Sequence, residues 1–292
     1  MSKFTLITAT VWMALLSAWS TPAHAQSRVL DPLDDWNWGR TAEYCGLVRN
    51  FGDAEDPVRL VIHSYGTSGS YRILLTGANL PQNTRAATEG SAAFGGLEDM
   101  QNIHMIVSKS GDGGAIEFVA KPREALIFVF NWSGGRDNFA SVDIDPQATQ
   151  LTFDVPDMEP ITLALGSMEN SLSDLRQCEE QLVASWALDV ADRDTVDAPA
   201  SIDNAYEVAR LIRRPDAMVI NRASQIMQIR LTIEEDGTAT DCVLQSPGWR
   251  DRDVRGVCRA FTDIGNYTPA KNAAGQAIAS ILHTTYLLLI YD

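Results

Sequence analysis

Gln228-Ile229-Arg230-Leu231-Thr232-Ile233 alternates polar and apolar residues, and Glu235-Asp236-Gly237 follows directly. A period of two marks a strand with one buried face, and Asp-Gly supplies the turn chemistry of a tight hairpin. The return strand is expected from about Ala239 to Gln245, ended by Ser246-Pro247-Gly248. Asp251 or Asp253 then caps a helix through Val254, Val257, Cys258 and Phe261, and a last strand runs from about Ala277 to Ile290. With a short amphipathic helix over residues 204–213 ahead of it, this order describes a small α+β unit spanning 204–292.

Working upstream, period-two alternation recurs in Val58/Leu60/Ile62, Tyr71/Ile73/Leu75, Ile103/Met105/Val107, Leu126/Phe128/Phe130, Leu151/Phe153/Val155 and Ile161/Leu163/Leu165. Turn-forming stretches such as Ser110-Gly111-Asp112-Gly113-Gly114 and Ser133-Gly134-Gly135-Arg136-Asp137 separate these runs, which favours antiparallel hairpins over helical crossovers. One helix closes the region. Ser167 is its expected N-cap, and Met168, Leu172, Leu175, Cys178, Leu182 and Trp186 form a single apolar stripe ending near Leu188. The fold class is therefore α+β: a sheet-rich antiparallel domain over 26–188, a linker over 189–203 and the smaller unit over 204–292. The linker reading rests on the acidic, aperiodic run from Leu188 to Pro199.

Charge divides the same way. Residues 26–199 hold twelve Lys+Arg against twenty-seven Asp+Glu, whereas residues 200–292 hold ten against eleven. A net charge of −15 argues against a polyanionic partner, so nucleic acid is not expected.

Lys3, the apolar run from Phe4 to Trp19 and Ala23-His24-Ala25 read as a secretory leader over residues 1–25, cleaved after Ala25. In a Gram-negative cell the destination is the periplasm. Export changes the reading of Cys45, Cys178, Cys242 and Cys258, because an even number of cysteines in an oxidising compartment points to disulfides. Three pairings are possible; the simplest places one bridge in each half, Cys45 with Cys178 and Cys242 with Cys258.

Glu235-Asp236-Gly237, Ser246-Pro247-Gly248, the short helix and Tyr267-Thr268-Pro269-Ala270-Lys271 followed by Gly275 resemble the TonB C-terminal domain family, over residues 203–290. Cys242 and Cys258 look like a cysteine-bearing variant. The resemblance implies a small sheet packed on helices that adds an extended strand from an envelope protein, such as an outer-membrane receptor, to its edge. The last strand is the candidate edge, with Ile278, Ser280, Leu282, Thr284 and Tyr286 as the partner-binding residues; the run Leu287 to Ile290 also reads as core. The same edge would serve a homodimer. The chain departs from a complete energy transducer, since its leader reads as cleavable and its twelve prolines form no spacer tract.

No catalytic constellation is legible. His63, His104 and His283 each sit alone in a strand-like run, and Gly66-Thr67-Ser68-Gly69 lacks the spacing of a nucleophile elbow. The acidic stretches Asp31–Asp35, Asp143–Asp145 and Asp189–Asp197 lack the order of a calcium loop. Of Trp36 and Trp38, one ring is expected on the core. Neither metal nor cofactor is expected. An exported enzyme with its site in the first domain, centred on His63 or His104, is the alternative reading, and a self-associating envelope protein is a third.

Overall fold

The computed structural model describes residues 27–66, 70–82, 86–121, 127–131, 141–143, 147–191, 195–212, 225–246, 249 and 251–289. The leader and its cleavage position, the turn residues 133–137 and Pro247-Gly248 lie outside the described residues.

Most of the first region is one curled sheet. Its strands are β1 (Arg28–Leu30), β2 (Asn37–Arg40), β3 (Cys45–Gly52), β4 (Pro57–Ser64), β5 (Tyr71–Gly77), β6 (Ala86–Ala93), β7 (Gln101–Ser110), β8 (Gly113–Lys121), β10 (Ser141–Asp143), β11 (Gln150–Asp154) and β12 (Ile161–Ala164); β9 (Ile127–Asn131) belongs elsewhere. Neighbours run β1-β12-β11-β6-β7-β8-β5-β4-β3-β2, with β10 beside the end of β8. The hairpins β3-β4, β4-β5, β6-β7, β7-β8 and β11-β12 are antiparallel as the turn signals required, while β1-β12 and β8-β10 are parallel. The sheet curls until its ends meet: Pro32 bridges Phe51, the Leu33 amide donates to the Asn50 carbonyl at 2.9 Å and the Gly52 amide to Asp31 at 2.8 Å. Asp34 strengthens this closure, its carboxylate accepting from the Asn50 amide at 2.9 Å.

Alternate residues of these strands fill one core, including Leu47, Phe51, Leu60, Ile62, Ile73, Leu75, Met105, Ile116, Phe118, Phe153 and Leu163. Each such side chain contributes roughly 1.5–3 kcal/mol by leaving water. Helix α1 (Glu169–Ser185) lays Leu172, Leu175, Cys178 and Leu182 on the same core, and Cys178 is bridged to Cys45 at the head of β3. The helix begins later than expected: Met168 is its N-cap, and Ser167 reaches only the Glu169 amide at 3.5 Å. Trp36 packs edge-on to Phe51 at 6.4 Å, whereas Trp38 is 56 % exposed.

The second unit starts earlier than residue 204. The Ala198 amide donates to Lys271, and β13 (Ser201–Ile202) pairs with β16 (Tyr267–Thr268), so the later part of the expected linker is built into the unit. Ala200 and Ile202 enter its core, which explains why an acidic approach ends in small apolar residues. Helix α2 (Ala205–Ile212) and helix α3 (Asp251–Ile264) bury Val208, Ile212, Val257 and Phe261 against β14 (Gln225–Ile233) and β19 (Ser280–Leu289). β15 (Ala239–Leu244) pairs with β14 through a bulge beside Asp241, and the Cys242–Cys258 bridge ties it to α3. Gly237 is required in the turn: its φ is +83°, and a Cβ would lie 2.8 Å from the Tyr267 carbonyl. β17 (Ala270–Lys271) and β18 (Ala277–Ile278) form a small hairpin around Gly275, so the expected last strand is broken at Ala279.

The fourth strand of this sheet comes from the first region. The order is β15-β14-β19-β9, with Ile127–Asn131 running parallel to Thr285–Leu289. The strand at Leu126/Phe128/Phe130 was expected in the first sheet; backbone pairing places it in the second.

Candidate functional site

The last strand is internal over its later half only, so of the five residues expected at the partner-binding edge Tyr286 alone lies where a strand already occupies the second side. β14 pairs with it from Ser280 to Leu288, and β9 takes its other side from Thr285 to Leu289. The named side chains are also placed differently from the expectation. Leu282, Thr284 and Tyr286 point into the unit's own core; Tyr286 stacks edge-on against Phe261 at 5.3 Å and reaches the Ala205 carbonyl at 3.5 Å. Burial pushes the Tyr286 hydroxyl well above its ordinary range. Ser280 is buried and Ile278 half-buried. The four in β19 are buried, Leu282 and Tyr286 in the core that this strand shares with the helices, while Ile278 belongs to β18 and is partly exposed.

Odd positions face the first region. Together with the even positions of β14 they form ladders of Ile226 beside Leu287, Gln228 beside Thr285 and Arg230 beside His283. The apolar pair meets Ala87, Ile106 and Val119 in a small cluster of its own. Thr285 donates to Gln228 at 2.7 Å, and its hydroxyl lies 3.1 Å from that of Ser70. Gln245 donates to the Glu43 carbonyl at 3.0 Å.

At the polar end, the Arg230 guanidinium lies 4.1 Å from the centre of the Trp186 ring, and the His283 ring lies 5.9 Å away on the same indole. Arg230 is only 6 % exposed. Burial holds its pKa below the usual value, against the opposing pull of Glu43 and Asp241. Burial, with the adjacent Arg230 charge, lowers His283 to about 3. Trp186 anchors the arrangement by donating to the Ala42 carbonyl at 3.0 Å.

A second polar group lies nearby on the first sheet. Arg72 and Glu117 form a buried ion pair at 2.6 Å. Burial works against the Arg72 charge, but the Glu117 carboxylate outweighs it and raises the pKa. His63 packs against Tyr44 at 4.6 Å and Tyr65 at 6.3 Å, and burial followed by the Arg72 charge lowers it to about 4. His104 is buried in β7. His63 thus sits among two tyrosine rings and the Arg72–Glu117 pair. An open groove of about 570 Å³ is lined by Glu89, Asn102, Asp154 and Asp157, with the Asp154 carboxyl raised by burial. Among the described residues no three His, Cys, Asp or Glu side chains gather around a common point.

Both disulfides of the simplest pairing are present. The feature that sequence reasoning missed is the joining of the two regions through β9, Trp186, Arg230 and His283. One signal pointed to it: Leu287 and Leu288 are consecutive and both buried, which requires a strand covered on both faces.

No family model matches the chain, and neither a curated protein nor a solved structure matches it. What the fold defines is a mixed α/β protein with a large curled antiparallel sheet and three helices among the described residues.

Proposed function

We propose that the chain is an exported, periplasmic envelope protein without catalytic activity, whose TonB-C-like unit binds a protein partner by adding an extended strand beside β19. The observation that carries this reading is the pairing of β9 with Thr285–Leu289: a segment from outside the unit already completes its sheet through main-chain hydrogen bonds. A partner segment in the same parallel register would replace β9. An envelope receptor is the expected source of that segment, which connects the protein to outer-membrane transport.

Removing β19 would not test this, because β14 depends on it over nine residue pairs. A photo-reactive amino acid at Leu289, the last position paired with β9, leaves the strand in place. Illumination in cells, followed by mass spectrometry of the adducts, should yield an extended segment of an envelope protein linked at position 289. Adducts confined to the chain's own residues 127–131 would contradict the proposal.

A further inference from the structure

Away from the seam at which β9, Trp186, Arg230 and His283 join the two regions, the curled sheet has an open stretch of edge. β6 pairs with β7 from Ala86 to Ala92, whereas β11 takes its other side only from Ser91 to Ala93. Among the described residues no strand pairs with residues 86–90 on that side, so alternate ones turn main-chain N–H and C=O groups outward.

The sequence sets where the two strands part. Gly90 lets the end of β11 come close, since a Cβ there would lie 2.7 Å from the Asp154 carbonyl oxygen. Beyond it Pro156 has no N–H to continue the ladder. Asp157, at φ +65°, belongs to a turn in which the Met158 amide donates to the Val155 carbonyl at 3.2 Å. The chain then leaves for β12, and the parting strands frame the open groove of about 570 Å³.

Charge decides what this groove takes. Glu89, Asp154 and Asp157 line it with Ser91, Asn102 and Met158, and no Lys or Arg is among its described lining residues. Burial raises the Asp154 carboxyl, and no cation among the described residues offsets it. A second copy of this edge is a poor occupant, because it would set the same carboxylates against these.

We infer that residues 86–90 accept a basic, extended segment of a protein partner as an added antiparallel strand continuing the line of β11, with its Lys or Arg side chains beside Glu89, Asp154 and Asp157. Main-chain hydrogen bonds supply the affinity, and the carboxylates select the charge. The acidity of the first region, with twenty-seven Asp+Glu against twelve Lys+Arg over residues 26–199, draws such a segment in. This edge is distinct from the position of β9 beside β19, so the inference does not depend on the partner proposed there.

The test uses the whole chain and an octapeptide of alternating lysine and valine, with binding read by fluorescence anisotropy and located by amide hydrogen exchange. Saturable binding, with new protection at the outward amides of residues 86–90, is expected. The same peptide fully N-methylated keeps its charge but cannot pair along an edge, and should not bind. An octapeptide of alternating glutamate and valine should not bind either. Glu89→Gln/Asp154→Asn should weaken binding of the lysine peptide about five-fold. Equal binding of the N-methylated peptide would overturn the inference by showing charge attraction alone. Protection gained along residues 285–289 in place of 86–90 would overturn it by making the β19 edge the acceptor, and so would the absence of any binding.

Discussion

Arg230 stacks on Trp186 across the seam, its guanidinium carbon 4.1 Å from the ring centre, so the residue that ends α1 lies against a central strand of the second sheet. The indole also covers His283 and closes over Gly66, where a Cβ would lie 2.9 Å from the ring. Trp186→Ala should cost about 2–3 kcal/mol in urea denaturation, less than a fully buried tryptophan because the ring is half-buried. The His283 pKa should rise from about 3 towards its ordinary value, as read by NMR titration. An unchanged His283 titration in W186A would show that the indole is not what shields it.

Acid should weaken the fold through two histidines. His63 and His283 have folded-state pKa values of about 4 and about 3, below the ordinary 6.5, so the unfolded chain binds more protons in the intervening range. Their contribution is present above pH 6.5 and is lost as the pH falls through that value towards the lowered ones. The expected loss is about 1 kcal/mol per pH unit for each histidine between pH 6 and pH 5. His283→Gln should remove one of these contributions, visible as a shallower dependence of the denaturation midpoint on pH.

The Arg72–Glu117 pair is buried on both sides, and breaking it from one side strands a charge. Glu117→Ala should cost about 3–5 kcal/mol, and Arg72→Met/Glu117→Leu together should cost less than the sum of the single changes. A thermal-denaturation double-mutant cycle gives the comparison; additive effects would mean that the pair does not act as a unit.

Loss of the Cys45–Cys178 bridge should cost more than loss of Cys242–Cys258. The bridges close loops of 133 and 16 residues, for which chain entropy gives roughly 5 and 3 kcal/mol. Paired serine substitutions, compared by denaturant midpoint, test this order.

Periodicity made the cores of both units legible. Ile229, Leu231 and Ile233 are buried as their alternation implied, and the stripe from Met168 to Leu182 lies on the first core. Strands β3, β6 and β8 escaped because Gly46, the Ala-rich run Ala86–Ala93 and Gly113-Gly114 dilute the alternation. The seam was illegible for a different reason: the polar face of β14, with Gln228, Arg230 and Thr232, has the pattern of a solvated surface, yet all three residues are buried. Alternation reports that two faces differ, not what covers the polar one. The same limit applies to the edge, since nothing in Ile127-Phe128-Val129-Phe130 names the sheet it joins.

Amide hydrogen exchange along Thr285–Leu289 reads the strand-accepting edge directly. Successive amides of a strand point to opposite neighbours, so a strand held by β14 on one side and β9 on the other has none left open. Protection of comparable size at every amide from 285 to 288, where both neighbours pair with the strand, is expected. Protection at alternate amides only, with those turned away from β14 exchanging at near-unprotected rates, would contradict the pairing from which the partner-binding proposal is built.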